Sequence, residues 1–331
     1  MKTKIVYVAI STEKDMFLEE LWASLWSLKH YNSDAHVSVL TDQPTANRIN
    51  HPSRRQLVEM ITELLIIPVP EEYNGTLRSR EIKTNIRNLI NGDFLYIDTD
   101  TLICGSLEDI DKLPIKNIGM VRDCHCPTIG EGGVTSLKLK KDIKRLFGIN
   151  ISNDGLYYNA GVMLVRDNEQ THLFYTNWHE NWLYCTTKGV NTDQQSQAYT
   201  YTALVPIVEL LPDIYNSQIA WSIKYLYDAK ILHFFNIALY SNANSPFIGD
   251  IRLYETIRKE NCISDHIANK LINIKRSFAL SSCVVRREEM DFITSKFYKL
   301  YKFNKYAHWL IEKINYWGLY RERRWWEKPK R

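Results

Sequence analysis

Two aspartates spaced i, i+2, Asp98 and Asp100, close the apolar run Phe94-Leu95-Tyr96-Ile97. A short continuous apolar run of this kind reads as a strand buried on both faces. Where the chain leaves the extended form at the end of that strand, both carboxylates can reach one cation. Hard oxygen donors suit Mg²⁺ or Mn²⁺, and the same ion binds a diphosphate. There it neutralises charge developing on a leaving group, as a Lewis acid does. Asp-x-Asp alone also occurs as a solvated turn or helix cap. The pair therefore takes its meaning from the elements that carry it and from its companions.

Those elements alternate. Ile5 to Ile10 is a β-branched run that reads as a first buried strand, followed by Phe17, Leu21, Leu25 and Leu28 at helical spacing. His36 to Leu40 reads as a strand closed by the turn Thr41-Asp42-Gln43-Pro44, Leu57 to Leu64 as a helix and Leu65 to Val69 as a strand. Leu77 to Ile90 reads as a helix rich in Arg and Lys, leading into the strand before Asp98. Such alternation predicts an α/β fold, a mostly parallel sheet with helices on both faces and ligands beyond the carboxyl ends of the strands. Past residue 110 the pattern is irregular, with strands expected at 118–121, 161–165 and 231–234 and a helix at 173–184. From Ile251 helical patterns dominate, and the polar stretch Ser241 to Pro246 is the nearest thing to a boundary. A catalytic domain over 1–250 and a helical region over 251–331 are expected.

The 331 residues carry a formal charge of +4 and are 45% hydrophobic, ordinary values for a folded globular chain. The apolar run after Met1-Lys2-Thr3-Lys4 is too short for a signal peptide, and no stretch approaches the roughly 18 apolar residues of a membrane span. A cytoplasmic location is expected. Cys104, Cys124, Cys126, Cys185, Cys262 and Cys283 are scattered, which speaks for free thiols; Cys124-His125-Cys126 lacks the second pair that a zinc site needs.

The segment Gly92 to Ile103, with Phe94-Leu95-Tyr96-Ile97-Asp98-Thr99-Asp100 at its centre, resembles the glycosyltransferase family 8 enzymes. Three further blocks resemble that family in the right order: Tyr157 to Leu164 around Asn159-Ala160-Gly161, Thr192-Asp193-Gln194-Gln195-Ser196, and Ile231-Leu232-His233-Phe234. The likeness covers roughly residues 4 to 240. It implies a GT-A fold, Rossmann-like, with a central mixed sheet and a helical extension. It implies a retaining hexosyltransferase that takes glucose or galactose from a UDP-sugar, dependent on Mn²⁺ or Mg²⁺. Asp98, Asp100 and His233 would hold the metal, His233 as a neutral imidazole. Asp98, Thr99 and Asp100 would also meet the donor, Asn159, Ala160 and Gly161 would line its sugar, and Asp123 would touch it. Gly161 would leave room for close approach. Asp193 would contact sugar hydroxyls, and Gln194 would stand near the reactive face of the anomeric carbon. Ala9 and Ser11 fall in the uracil-contacting region, with Ser11 where an acidic side chain is common. Arg78 and Lys83, with Arg80 between them, would point cations at the donor. The family's Gly and Lys after the histidine are replaced here by Asn236 and Leu239, so a phosphate contact is either missing or supplied from elsewhere, by Lys224, Lys230 or the basic helix.

The charge excess gathers at the carboxyl end. Lys296, Lys299, Lys302 and Lys305 alternate with Phe297, Tyr298, Leu300, Tyr301 and Phe303, and Trp309, Trp317, Arg321, Arg323, Arg324, Trp325 and Trp326 follow. Basic residues with interfacial aromatics fit a segment lying on an anionic membrane surface. The resemblance to family 8, some of whose lipopolysaccharide-synthesising members carry a comparable basic tail, implies a saccharide or lipid-linked acceptor in lipopolysaccharide or other surface-glycan synthesis. No nucleic-acid motif accompanies them. Two other readings compete with the enzyme: a catalytically impaired nucleotide-sugar-binding scaffold, and a nucleotidyltransferase. The second needs a Gly-rich basic loop after the first strand, and Ser11 to Asp15 is none.

Overall fold

The computed structural model describes residues 1–124, 126–129, 134–152, 155–235, 251–277 and 295–314. Strands β1 (Lys4–Ala9), β2 (Val37–Thr41), β3 (Glu63–Ile66), β4 (Phe94–Ile97), β5 (Thr101–Ile103), β6 (Ile118–Arg122), β7 (Tyr158–Val165), β8 (Val208–Leu210), β9 (Ser217–Gln218) and β10 (Ile231–His233) form two sheets. The larger has the order β3-β2-β1-β4-β7-β6-β8, and the smaller β5-β10-β9. The pairs β1·β2, β2·β3, β1·β4 and β6·β8 are parallel, whereas β7 runs antiparallel to both β4 and β6. The mixed, mostly parallel sheet expected from the sequence is present.

The helices are α1 (Phe17–Tyr31), α2 (Gln43–Ile49), α3 (Arg55–Glu59), α4 (Gly75–Lys83), α5 (Ile86–Leu89), α6 (Val134–Phe147), α7 (Glu169–Thr187), α8 (Gln194–Tyr199), α9 (Ile251–Glu260), α10 (Asp265–Ile272), α11 (Ile274–Ser277) and α12 (Lys296–Phe303). Period two along β1 divides the core. Ile5, Tyr7 and Ala9 face Leu21, Trp22 and Leu25 of α1, while Val6 and Val8 face Ile82 and Ile86 on the other side. Leu253, Ile257, Ile267 and Leu271 of α9 and α10 join the α1 side of that core, and Arg258 pairs with the buried Glu19 at 2.7 Å. The expected boundary at 241–250 lies outside the described residues. The chain forms two compact units, one of residues 1–132 and 136–284 and the other of 133–135 and 285–331. In the second, α12 and the residues after it expose Phe297, Phe303, Tyr306, Trp309 and Ile314.

Several elements differ from the sequence expectation. The third strand lies at 63–66 instead of 65–69; Ile67 N–H still reaches Thr41 O at 2.7 Å, and Pro68 has no N–H to continue the ladder. The helix expected over 77–90 breaks after Lys83. There the Thr84 hydroxyl bonds back to Arg80 O at 2.8 Å, competing with the helical backbone. β7 starts at Tyr158, so Asn159 to Gly161 lie within the strand. The β6·β7 register shifts between Met120, opposite Met163, and Val121, opposite Asn159, a bulge that leaves Ala160 to Val162 without partners on β6.

Candidate active site

The site assembles where β4 ends. Asp98 N–H donates to Gly161 O at 2.7 Å, the last rung between β4 and β7. The chain then turns, with the Thr101 hydroxyl donating to Asp98 O at 2.9 Å, and returns as β5. β5 pairs antiparallel with β10, which sets Thr101 opposite His233, and Phe234 N–H donates to Asp100 O at 3.0 Å. Two sheets that meet at this turn thus deliver Asp98, Asp100 and His233 to one point.

One donor atom from each of these three residues lies within 4.8 Å of the others. His233 Nε2 stands 3.3 Å from Asp100 Oδ1. Asp98 Oδ1 accepts from Lys83 Nζ at 3.0 Å and from the Tyr96 hydroxyl, and the Lys83 ammonium lies over the Tyr96 ring. Burial opposes the charged form of His233, but Asp100 and then Asp98 outweigh it and raise the pKa above the ordinary histidine value. Two carboxylates and one imidazole this close are the donor set a divalent ion takes. The residues fit such an ion, and no other group of three His, Cys, Asp or Glu of this kind occurs among the described residues. The Cys124 thiol is pushed up to about 11, by burial first and then by Asp123, and Cys126 is buried; His125 lies outside the described residues.

A second pair stands beside the first. Arg80 Nε meets Asp193 Oδ1 at 3.0 Å. The Asp193 charge raises the pKa of Arg80 against the opposing effect of burial, and Asp98 adds to it. Asp193 precedes α8, and Gln194, the first residue of that helix, is exposed beside it. Asp123 follows β6; its Oδ2 accepts from Asn159 Nδ2 at 3.1 Å and its Oδ1 from Cys126 N–H at 2.9 Å. Ala160 is half-buried between Asn159 and Gly161, and Thr99 is half-buried in the turn.

The remaining expected residues lie elsewhere. Ala9 O accepts from the Thr41 hydroxyl at 2.6 Å. The Ser11 hydroxyl donates to Asp15 Oδ1 at 2.7 Å and accepts from Arg48 at 2.8 Å, so a carboxylate does stand at this position, supplied from four residues on. Arg78 braces the loop before α4, bonding Asp42 at 3.1 Å and the carbonyls of Tyr73 and Glu71. The structure does not bring it to the carboxylate cluster; Arg80 and Lys83 stand there. Lys230 is held by Asp109. Three neighbours were not singled out from the sequence. Tyr96 had a signal, since i and i−2 share a strand face. Phe235 stacks on His233 at 4.1 Å between ring centroids, at a left-handed φ of 55°. Asn216 gave no signal at all.

No protein-family model matches the chain, and no curated protein matches it in sequence. Among solved structures it is similar to the bifunctional glycosyltransferase WbbM in its apo form, at 13% identity and a TM-score of 0.50, over 81% of this chain and 50% of that one. The galactosyltransferase LgtC, solved with donor and acceptor sugar analogues, aligns at 15% identity and a TM-score of 0.49, over 81% of this chain and all of that one (100%). Mouse xyloside xylosyltransferase 1 aligns at 12% identity and a TM-score of 0.46, over 71% of this chain and 98% of that one. The chain spans half the length of WbbM. At such identities the likeness is one of fold, and the fold is GT-A.

Proposed function

We propose that this chain is a metal-dependent glycosyltransferase that moves a hexose from a UDP-sugar to a saccharide or glycolipid acceptor with retention of configuration. The observation that carries the reading is the convergence of Asp98, Asp100 and His233 at the carboxyl end of a GT-A sheet, next to the Arg80–Asp193 pair. A divalent cation there supplies Lewis-acid stabilisation of the leaving diphosphate. Lys83 and Arg80 add positive charge on the same side and take the part of the missing lysine after His233. Asp193, fixed by Arg80, accepts from the sugar hydroxyls. Asn159, Ala160 and Gly161 form the floor beneath the sugar, and Ser11 with Asp15 faces the base.

The carboxylates of the site all have other work: Asp193 pairs with Arg80, Asp98 with Lys83, Asp100 with His233 and Asp123 with Asn159. None stands ready as a covalent nucleophile. This favours front-face attack. The bond from the anomeric carbon to the β-phosphate oxygen breaks, the acceptor oxygen bonds to the same face, and its proton passes to the departing phosphate oxygen. Gln194 contributes a dipole near that face.

A screen of UDP-hexoses with Mn²⁺, read as slow hydrolysis, tests the reading. Turnover that Asp98→Asn or Asp100→Asn abolishes is expected. No turnover with any donor, together with retained UDP binding, would favour the impaired scaffold. The exposed aromatics around α12 support a second part of the reading, docking on anionic lipid in surface-glycan synthesis. Sedimentation with anionic liposomes should fall on removal of residues 296–331, and an unchanged sediment refutes the docking.

A further inference from the structure

Asn216 lies just before β9 and is buried. Its Oδ1 is 3.0 Å from Nδ1 of His233, and its Nδ2 is 2.9 Å from Oδ1 of Asn159. Asn159 continues the chain: its Oδ1 also accepts from the backbone N–H of Gly161 at 2.9 Å, and its Nδ2 donates to Asp123 Oδ2 at 3.1 Å.

Two ends of this chain have fixed polarity. A backbone N–H only donates, so the Asn159 atom facing Gly161 is its oxygen. An ionised carboxylate only accepts, so the Asn159 atom facing Asp123 is its nitrogen. The Asn216 atom that meets the Asn159 oxygen must then be the amide nitrogen, which turns the Asn216 oxygen toward His233. An oxygen at 3.0 Å requires a proton on Nδ1. The lone pair of the neutral ring is thereby left on Nε2, the nitrogen that faces Asp100. Every amide orientation in the relay follows from its two ends.

We propose that Asn216 is a positioning residue that holds His233 in the Nδ1–H tautomer, so that Nε2 is presented to the cation site. The relay Asp123–Asn159–Asn216–His233 joins β6, β7, the segment before β9 and β10, and it sets the direction of a metal ligand from a carboxylate that does not itself belong to the triad. This rests on the metal reading given above. A partner that orients a ligating imidazole typically contributes about 10–100-fold in metal affinity.

Two readouts on the full chain test it. Mn²⁺ titration followed by electron paramagnetic resonance should show Asn216→Leu binding about 10–100-fold more weakly than the wild type. Asn216→Asp keeps an acceptor for Nδ1–H but sets its second oxygen against Asn159 Oδ1, so it should bind more weakly than wild type and more tightly than Asn216→Leu. Long-range ¹H–¹⁵N correlation spectra of the metal-free protein, at a pH where the ring is neutral, should place the His233 proton on Nδ1 in the wild type and in Asn216→Asp. Asn216→Leu should show both tautomers. A wild-type proton on Nε2 overturns the proposal, as does wild-type Mn²⁺ affinity in Asn216→Leu when Asp100→Asn has lost it. If Asp100→Asn leaves Mn²⁺ affinity unchanged, the metal reading is what fails, and the tautomer spectrum decides the relay by itself. Should Asn216→Leu fail to fold, the wild-type and Asn216→Asp spectra give the decision.

Discussion

The imidazole of His233 fills the space that a side chain on Gly161 would take. An ideal Cβ there would lie 2.1 Å from Cε1 and 2.7 Å from Nδ1 of the ring, and 2.9 Å from Asn159 Oδ1. The sequence suggested that this glycine makes room for a sugar. The structure gives it a nearer duty, letting β10 lay its histidine against β7. Gly161→Ala must therefore move the ring or the strand. Overpacking of this kind costs about 1–3 kcal/mol. The expected result in denaturant titration is a loss of that size together with weaker Mn²⁺ binding. The double variant Gly161→Ala/His233→Ala should recover much of the stability and none of the metal affinity. A single variant that binds Mn²⁺ normally would mean that the ring has another place to go.

Arg80 and Asp193 make the second relationship open to measurement. Both are largely buried, with 26% and 8% of their side chains exposed, so the loss of either partner strands a charge. Breaking a buried pair from one side costs about 3–5 kcal/mol, and the exposed quarter of Arg80 places this one at the low end. Arg80→Met should therefore destabilise more alone than in the presence of Asp193→Asn. A double-mutant cycle should give a coupling of about 1–3 kcal/mol. Purely additive losses would show that the two side chains do not hold each other.

Much of this site was legible because its parts obey different rules. Buried strands such as Phe94 to Ile97 leave continuous apolar runs, and the carboxylates Asp98 and Asp100 interrupt this one at its end, where the chain turns back. His233 could be placed through the block around it, Ile231 to Phe234. The choice among Arg78, Arg80 and Lys83 was not legible, since all three share one basic helix and only its packing decides which faces the cluster. The kink at Thr84 and the early end of that helix arise from a hydroxyl bonding its own backbone, which periodicity does not register. Asn216 belongs to no pattern. Its role comes from neighbours 57 and 17 residues away in sequence, Asn159 and His233.

The start of β4 is held by an acid-sensitive clamp. Asp167 Oδ2 accepts from Gly92 N–H at 2.6 Å, at a left-handed φ of 81° that suits glycine, and it lies 3.4 Å from the buried Arg87. Its other oxygen is 3.0 Å from His172 Nε2. The bond to His172 does most to lower the pKa of Asp167, and Gly92 and Arg87 add to it against the effect of burial. A carboxylate lowered on folding contributes stability above its unfolded value, and that stability is lost as pH falls through the folded value. The unfolded value for aspartate is about 3.9. Asp167→Asn should thus be less stable than the wild type at neutral pH, and the gap should close below about pH 4. A gap that stayed constant down to acid pH would remove Asp167 from the clamp.

Lys83 yields a prediction in which two readouts move oppositely. Its ammonium, 4% exposed, holds Asp98 at 3.0 Å while the Tyr96 hydroxyl holds the same oxygen. In the metal-free protein this contact neutralises a carboxylate that a divalent cation also needs. A fixed positive charge within a few ångströms of the cation position opposes its binding, and at an effective dielectric near 20 the repulsion at about 5 Å is several kcal/mol, so the effect exceeds tenfold. Lys83→Met should accordingly bind Mn²⁺ more tightly in the absence of donor. Its turnover of a UDP-hexose should nevertheless fall if Lys83 faces the diphosphate as proposed. Mn²⁺ titration and initial rates on the same preparation check both signs. A variant that weakens Mn²⁺ binding would place Lys83 as a support of Asp98 alone, and one that binds tightly with unchanged turnover would remove it from the diphosphate.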